Sequence, residues 1–110
     1  MQEMRLEGIY YDLIKEKVKV FEIRLNDEKR QELKVGDNIL LKKRPEFKES
    51  MIVKIEELVY FKSFEQMTEN ISLKDIGLSN LTKKEAVDLY HSFYSPDEEQ
   101  KYGVVAIKIK

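Results

Sequence analysis

The amino-acid sequence predicts an α+β fold in which five strands, one of them bent, curl into a small, partly open β-barrel flanked by short helices. Three observations predict it. Alternating apolar residues, the period of a half-buried strand, occur at Phe21–Leu25, Met51–Tyr60 and Val105–Ile109. Between the last two lie three helix-start signals: Ser63 with Gln66, Thr82 with Glu85, and Ser95-Pro96 with Glu98. The mixed order of strands and helices suits an α+β domain better than a repeated βαβ unit.

Each element has its own local reason. Met4–Leu6 is a short apolar start, expected as an edge strand. From Gly8 to about Lys17, Ile9, Leu13 and Ile14 recur at helical spacing with Tyr10 nearby. Phe21, Ile23 and Leu25 then alternate with Val20, Glu22 and Arg24. Asn26-Asp27 can cap a short helix through Leu33, and Val35-Gly36-Asp37 turns the chain into a strand at Asn38–Lys43 that Pro45 ends. Met51, Val53 and Ile55 alternate, and Leu58 and Tyr60 resume one position out of phase. Glu56-Glu57 therefore marks a bulge where a long strand bends. Thr82 opens a helix with Ala86, Leu89, Tyr90 and Phe93 on one face. Gly103 releases the chain into a closing strand with Val105, Ile107 and Ile109 inward. A cap contributes about 1 kcal/mol, so the cap residues are structural signals rather than functional ones.

Composition bounds the function. The 110 residues, 42% of them apolar, suit one domain spanning 1–110. Twenty Lys and Arg against 21 Asp and Glu give a net charge of -1, which argues against a bulk polyelectrolyte binder and leaves room for a local basic patch. With no cysteine, disulfides, thiolate catalysis, iron–sulfur clusters and Cys-based zinc sites are excluded. One histidine, His91, cannot build a multi-histidine metal site, and it sits off the apolar face of its helix, where solvent is expected. No metal or cofactor is expected. No run approaches the roughly 18 apolar residues of a membrane span, so no membrane contact and a cytoplasmic location are expected.

The segment Lys15–Asp27 holds Lys19, Glu22 and Arg24 in a Lys-x-x-Glu-x-Arg pattern. It resembles the signature of ASCH domains, a branch of the PUA-like barrel superfamily, whose pattern is Gly-x-Lys-x-x-Glu-x-Arg. Lys17 stands where that pattern has glycine. The resemblance continues through Val35-Gly36-Asp37, Ser63-Phe64-Glu65, Tyr94-Ser95-Pro96 and Tyr102-Gly103-Val104. It implies a PUA-like barrel with a cleft beside the motif, suited to RNA or a modified nucleoside or nucleotide. Proteins of this kind are generally thought to act in RNA-linked processes. One branch is an amidohydrolase of N4-acetylcytidine that uses the motif lysine with a threonine and a glutamate. Lys19 lies at the position of that lysine, but Glu22 lies where the branch has threonine.

Chemistry of the same residues ranks the readings. If the strand begins at about Val20, Lys19 falls in the preceding loop and can join Glu22 and Arg24 on one side; within the strand it would face the core at a high desolvation cost. Arginine forks onto a phosphate or base edge, and lysine offers a point charge. A carboxylate between them orients both or accepts from an exocyclic amine. Its negative charge also keeps the lysine protonated, which favours binding over catalysis by Lys19 and Glu22. Lys19, Glu22, Arg24 and Tyr102 are thus the candidate ligand-binding residues. Glu22 and Arg24 could equally form an ordinary surface ion pair, and Lys42-Lys43-Arg44 reads more readily as a charged strand end than as a phosphate stripe. An amidohydrolase of an acylated nucleoside, with Lys19 catalytic, is the second reading, and a regulatory protein-interaction domain is the third.

Overall fold

The structure, a computed structural model, describes residues 1–110. In chain order it contains β1 (Gln2–Leu6), α1 (Gly8–Lys15), β2 (Phe21–Leu25), a 3-10 turn (Arg30–Glu32), β3 (Asn38–Lys43), β4 (Ser50–Phe61), α2 (Phe64–Asn70), α3 (Lys83–His91), α4 (Pro96–Tyr102) and β5 (Val104–Ile109). The five strands form one sheet in the order β1-β3-β4-β5-β2; β1 runs parallel to β3 and every other pair is antiparallel. This is the α+β half-barrel that the sequence predicts, with β1 at one edge.

The local signals act as expected. Thr82 and Ser95 each form a complete capping box, with Glu85 and Glu98. Ser63 caps α2 through Gln66 N, but the Gln66 side chain accepts from Lys62 N, so that box is half made. Asp27 accepts from the backbone N of Arg30 and so starts the 3-10 turn. The ladder between β4 and β5 slips between Ile55 and Glu57, and the long strand passes from one half of the sheet to the other at that bulge.

β1 and β2 end the strand order on opposite sides, yet the sheet curls until they approach. Arg24 Nη2 donates to the Arg5 carbonyl at 3.3 Å. Gln2 Nε2 donates to the Lys29 carbonyl at 2.6 Å, and Arg30 Nη1 donates to Gln2 Oε1 at 2.9 Å. Side chains, and no backbone ladder, bridge this seam. An edge left unpaired in this way needs cover or charge, and here it has both.

Burial departs from the sequence pattern at several places, among them Tyr60, which is exposed. Val105, Ile107 and Ile109 join Met4, Leu6, Tyr11, Ile39 and Leu41 in one apolar cluster, as alternation predicts. Val104 and Ala106 are also fully buried, against Phe64, Met67, Ile76, Leu78 and Ala86, because helices and loop cover the outer face of β5. In α1 the buried positions are Tyr11 and Ile14, whereas Ile9 is exposed, so the helix is rotated from the face first expected. Phe93 lies beyond the end of α3 and is 64% exposed.

Candidate functional site

Chain geometry before β2 decides where the motif lysine goes. α1 ends in a Schellman motif: Lys17 N donates to the Ile14 carbonyl, Val18 N to the Leu13 carbonyl, and Lys17 adopts φ 64°. The turn throws Lys19 into a loop two residues before the strand, as its charge requires. The segment after α2 closes over it. Val20 N and Phe21 N both donate to the Asp75 carbonyl, which brings Ile76 and Gly77 against the lysine stem.

Lys19 is 4% exposed. Its Nζ donates to the carbonyls of Phe21 and Ile76 and lies 3.2 Å from Glu22 Oε1, so three acceptors surround an ammonium with three N–H groups. Glu22 Oε2 accepts from Arg24 Nε at 2.9 Å. The result is a Lys–Glu–Arg triad with Lys19 and Glu22 buried and Arg24 half-buried, rather than a surface ion pair. Burial pushes the Lys19 ammonium down from the ordinary lysine range, against the pull of Glu22. Burial alone would raise the Glu22 carboxyl, but Lys19 and Arg24 outweigh it and hold it below the ordinary carboxylate range. Burial also works against the Arg24 charge, and Glu22 reverses that effect.

The triad forms the floor of a cleft of about 280 Å³ set in the seam between β1 and β2. Arg5, Glu7 and Arg44 stand on the β1 side, and Tyr10, Tyr90, Phe93 and Tyr94 form an aromatic wall. The wall is held from behind: the buried Phe64 ring stacks on Tyr90 at 4.8 Å and on Tyr94 at 5.6 Å. Burial pushes both tyrosine hydroxyls above their ordinary range, so they remain protonated donors.

Comparisons with known proteins place the chain as a whole. The family model of the ASCH domain matches residues 4–110. The chain belongs to the ASCH domain family. It is similar to a protein described as "hypothetical protein PH0355", whose crystal structure matches at a TM-score of 0.88 and 37% identity over 99% of this chain and 96% of that one. It is also similar to protein PF0455 from Pyrococcus furiosus, solved by solution NMR, at a TM-score of 0.77 and 33% identity over 99% and 94%. No curated protein matches the chain.

In this ASCH domain the structure brings Lys19, Glu22 and Arg24 together and leaves Tyr102 out. The Tyr102 hydroxyl donates to Glu28 Oε1 at 3.0 Å, away from the cleft. Of the basic run, Arg44 reaches the cleft, whereas Lys42 pairs with Glu3 and Lys43 with Asp12 and Glu49. Lys17 in place of the family's glycine does not close the loop, because it keeps the left-handed backbone a glycine would supply and its side chain stays exposed. His91 is exposed and pairs with Glu99 at 2.9 Å, outside the cleft.

Two features were missed by sequence reasoning. The aromatic wall comes from α1, from the last turn of α3 and from the loop beyond it, and spacing alone did not set Tyr10, Tyr90 or Tyr94 apart from core residues. Gly77 has φ 79°, and a Cβ there would meet Lys19 Cδ at 3.0 Å, so the glycine makes room for the lysine stem. A lone glycine at position 77 carries no such signal in the sequence. No group of three or more His, Asp or Glu is placed to hold a metal ion, and no helix is long and apolar enough to cross a membrane.

Proposed function

We propose that the seam cleft binds RNA by taking in one unstacked nucleotide, with Arg24 and Glu22 addressing the polar edge of its base and the aromatic wall its face. The juxtaposition of a Lys–Glu–Arg floor with a wall of Tyr10, Tyr90, Phe93 and Tyr94 carries this reading. About 280 Å³ lies near the lower end of small-molecule sites, which suits a single nucleoside rather than a longer stack. Single-stranded RNA is recognised mainly by stacking splayed bases on aromatic rings and reading their edges. Glu22 uses one oxygen on Lys19 and the other on Arg24, and each keeps lone-pair capacity to accept from an exocyclic amine or ring N–H. Arg24 uses two of its five N–H groups within the protein and has three for a ligand. The family, generally thought to bind RNA, supports the same class of ligand.

Lys19 serves here as a positioning charge. Its three N–H groups are committed, and Glu22 beside it opposes loss of the proton, so hydrolysis of an acylated nucleoside by Lys19 would have to dismantle the floor first. The test is fluorescence anisotropy with a random-sequence single-stranded hexaribonucleotide pool at low salt. Binding should weaken as KCl is raised and fall about tenfold or more in Arg24→Gln. No binding by the wild type at millimolar RNA would sink the proposal.

A further inference from the structure

Beside the cleft, and sharing Arg5, Arg24 and Arg44 with it, lies a second depression of about 290 Å³ along the same seam. Lys29 and Arg30 complete its basic lining, and Glu3 is its only carboxylate. Elsewhere on the surface charges mix: a depression between α2 and α3 is lined by Glu65, Glu69 and Asp88 with Lys83 and Lys84.

The cations here are held in place more than they are neutralised. The guanidiniums of Arg5 and Arg44 both lie over one ring, Phe47, at 5.2 and 5.8 Å from its centre. Their carboxylate contacts are long, 3.6 Å to Glu3 and 3.9 Å to Glu7. Arg30 donates to the neutral Gln2 amide at 2.9 Å. Burial and the neighbouring Arg24 both weaken its hold on the proton, against the opposing pull of Asp27 and Glu22. Phe47 itself has φ 58°, a left-handed backbone that a bulky residue adopts only where its surroundings enforce it.

Resting on the RNA-binding reading of the cleft, we infer that this groove is a phosphodiester subsite: the RNA backbone leaves the cleft past Arg24 and runs along the seam over Arg5, Arg44 and Arg30, with Phe47 as the positioning residue. The ligand is then a chain of nucleotides rather than a free nucleoside. Two depressions sharing three arginines suit a base in one and the adjoining phosphate in the other, and guanidiniums suit phosphate oxygens by their paired donors.

The experiment follows amide and arginine side-chain NMR signals, with anisotropy in parallel, for the full chain and a Lys29→Gln/Arg30→Gln variant, whose two positions line the groove and not the cleft. The probes are the hexaribonucleotide pool and inorganic pyrophosphate. With the pool, the wild type should shift at both cleft and groove. The variant should keep the cleft shifts, bind about tenfold or more weakly, and lose about two from the slope of log affinity against log salt. Phe47→Gly, which keeps every charge and tolerates the left-handed backbone, should also weaken binding, and Phe47→Tyr should restore it. Unchanged affinity and slope in the double variant, with the cleft shifts intact, would overturn the subsite and leave the cleft standing. If the pool does not bind, the cleft reading fails and pyrophosphate decides the groove. Wild-type shifts at Lys29 and Arg30 that vanish in the variant would support it, and their absence would overturn it.

Discussion

Across the wall built from β3, β4 and β5, each strand satisfies its neighbour's backbone, and the inward side chains are Ile39, Leu41, Val53, Ile55, Val105 and Ile107. Across the seam between β1 and β2 the ladder is missing, and Arg24, Gln2 and Arg30 span the gap with their side chains. The wall is held by apolar burial, at about 1.5–3 kcal/mol for each large side chain. At the seam Lys19 and Glu22 are buried and Arg24 is half-buried, and each charge neutralises or hydrogen-bonds the next. Burial of charge by itself does not make a stable protein. Its placement at the one unclosed edge, under a cleft with aromatic walls, is what ties it to a ligand.

Removing the centre of the triad should break the seam most severely. Glu22→Ala leaves the buried Lys19 and the half-buried Arg24 without their shared partner and should cost about 3–5 kcal/mol, read as a lowered urea midpoint. The pH dependence has a definite sign. The folded Glu22 carboxyl takes up its proton at lower pH than the unfolded one. Its stabilisation is therefore complete above the ordinary carboxylate range and is lost as the pH falls through the lower folded value. Urea midpoints measured from about pH 6 to pH 2 should show that acid loss in the wild type and less of it in Glu22→Gln.

Gly77→Ala should act on the same seam from the other side. It places a Cβ 3.0 Å from Lys19 Cδ at a backbone of φ 79°, so about 2 kcal/mol of stability should go, with weaker RNA binding because the lysine is displaced. The wall supplies the contrast. Ile107→Val should cost about 1 kcal/mol and leave RNA affinity unchanged in the same anisotropy assay. The smallest effect is a gain: Lys17→Gly relieves a left-handed lysine and should raise stability by up to about 1 kcal/mol, with no change in the cleft.

The wall was legible in the sequence because period-2 alternation, the bulge at Glu56-Glu57 and the caps at Thr82 and Ser95 are all local signals. The motif was legible as well: a charged Lys19 could not enter the core within the strand, and the structure puts it in the loop. The rest of the site depends on contacts distant in sequence. Ile76 and Gly77 meet Lys19 across just over half the chain, and Tyr90 and Tyr94 become a cleft wall only because Phe64 stacks behind them. Tyr102 stood beside the Gly103 turn and looked equally available, but α4 aims its hydroxyl at Glu28. Local pattern decides which face a residue presents and leaves open which partner it meets.

The most direct measurement of the central claim is an amide chemical-shift titration of the labelled chain with the hexaribonucleotide pool at low salt. RNA binding at the open seam predicts shifts on both lips, at Arg5–Tyr10 and Lys19–Arg24, and on the wall at Tyr90–Tyr94, with β3 and the outer face of β4 silent. Shifts confined to β3 and β4, or none at millimolar RNA, would contradict it.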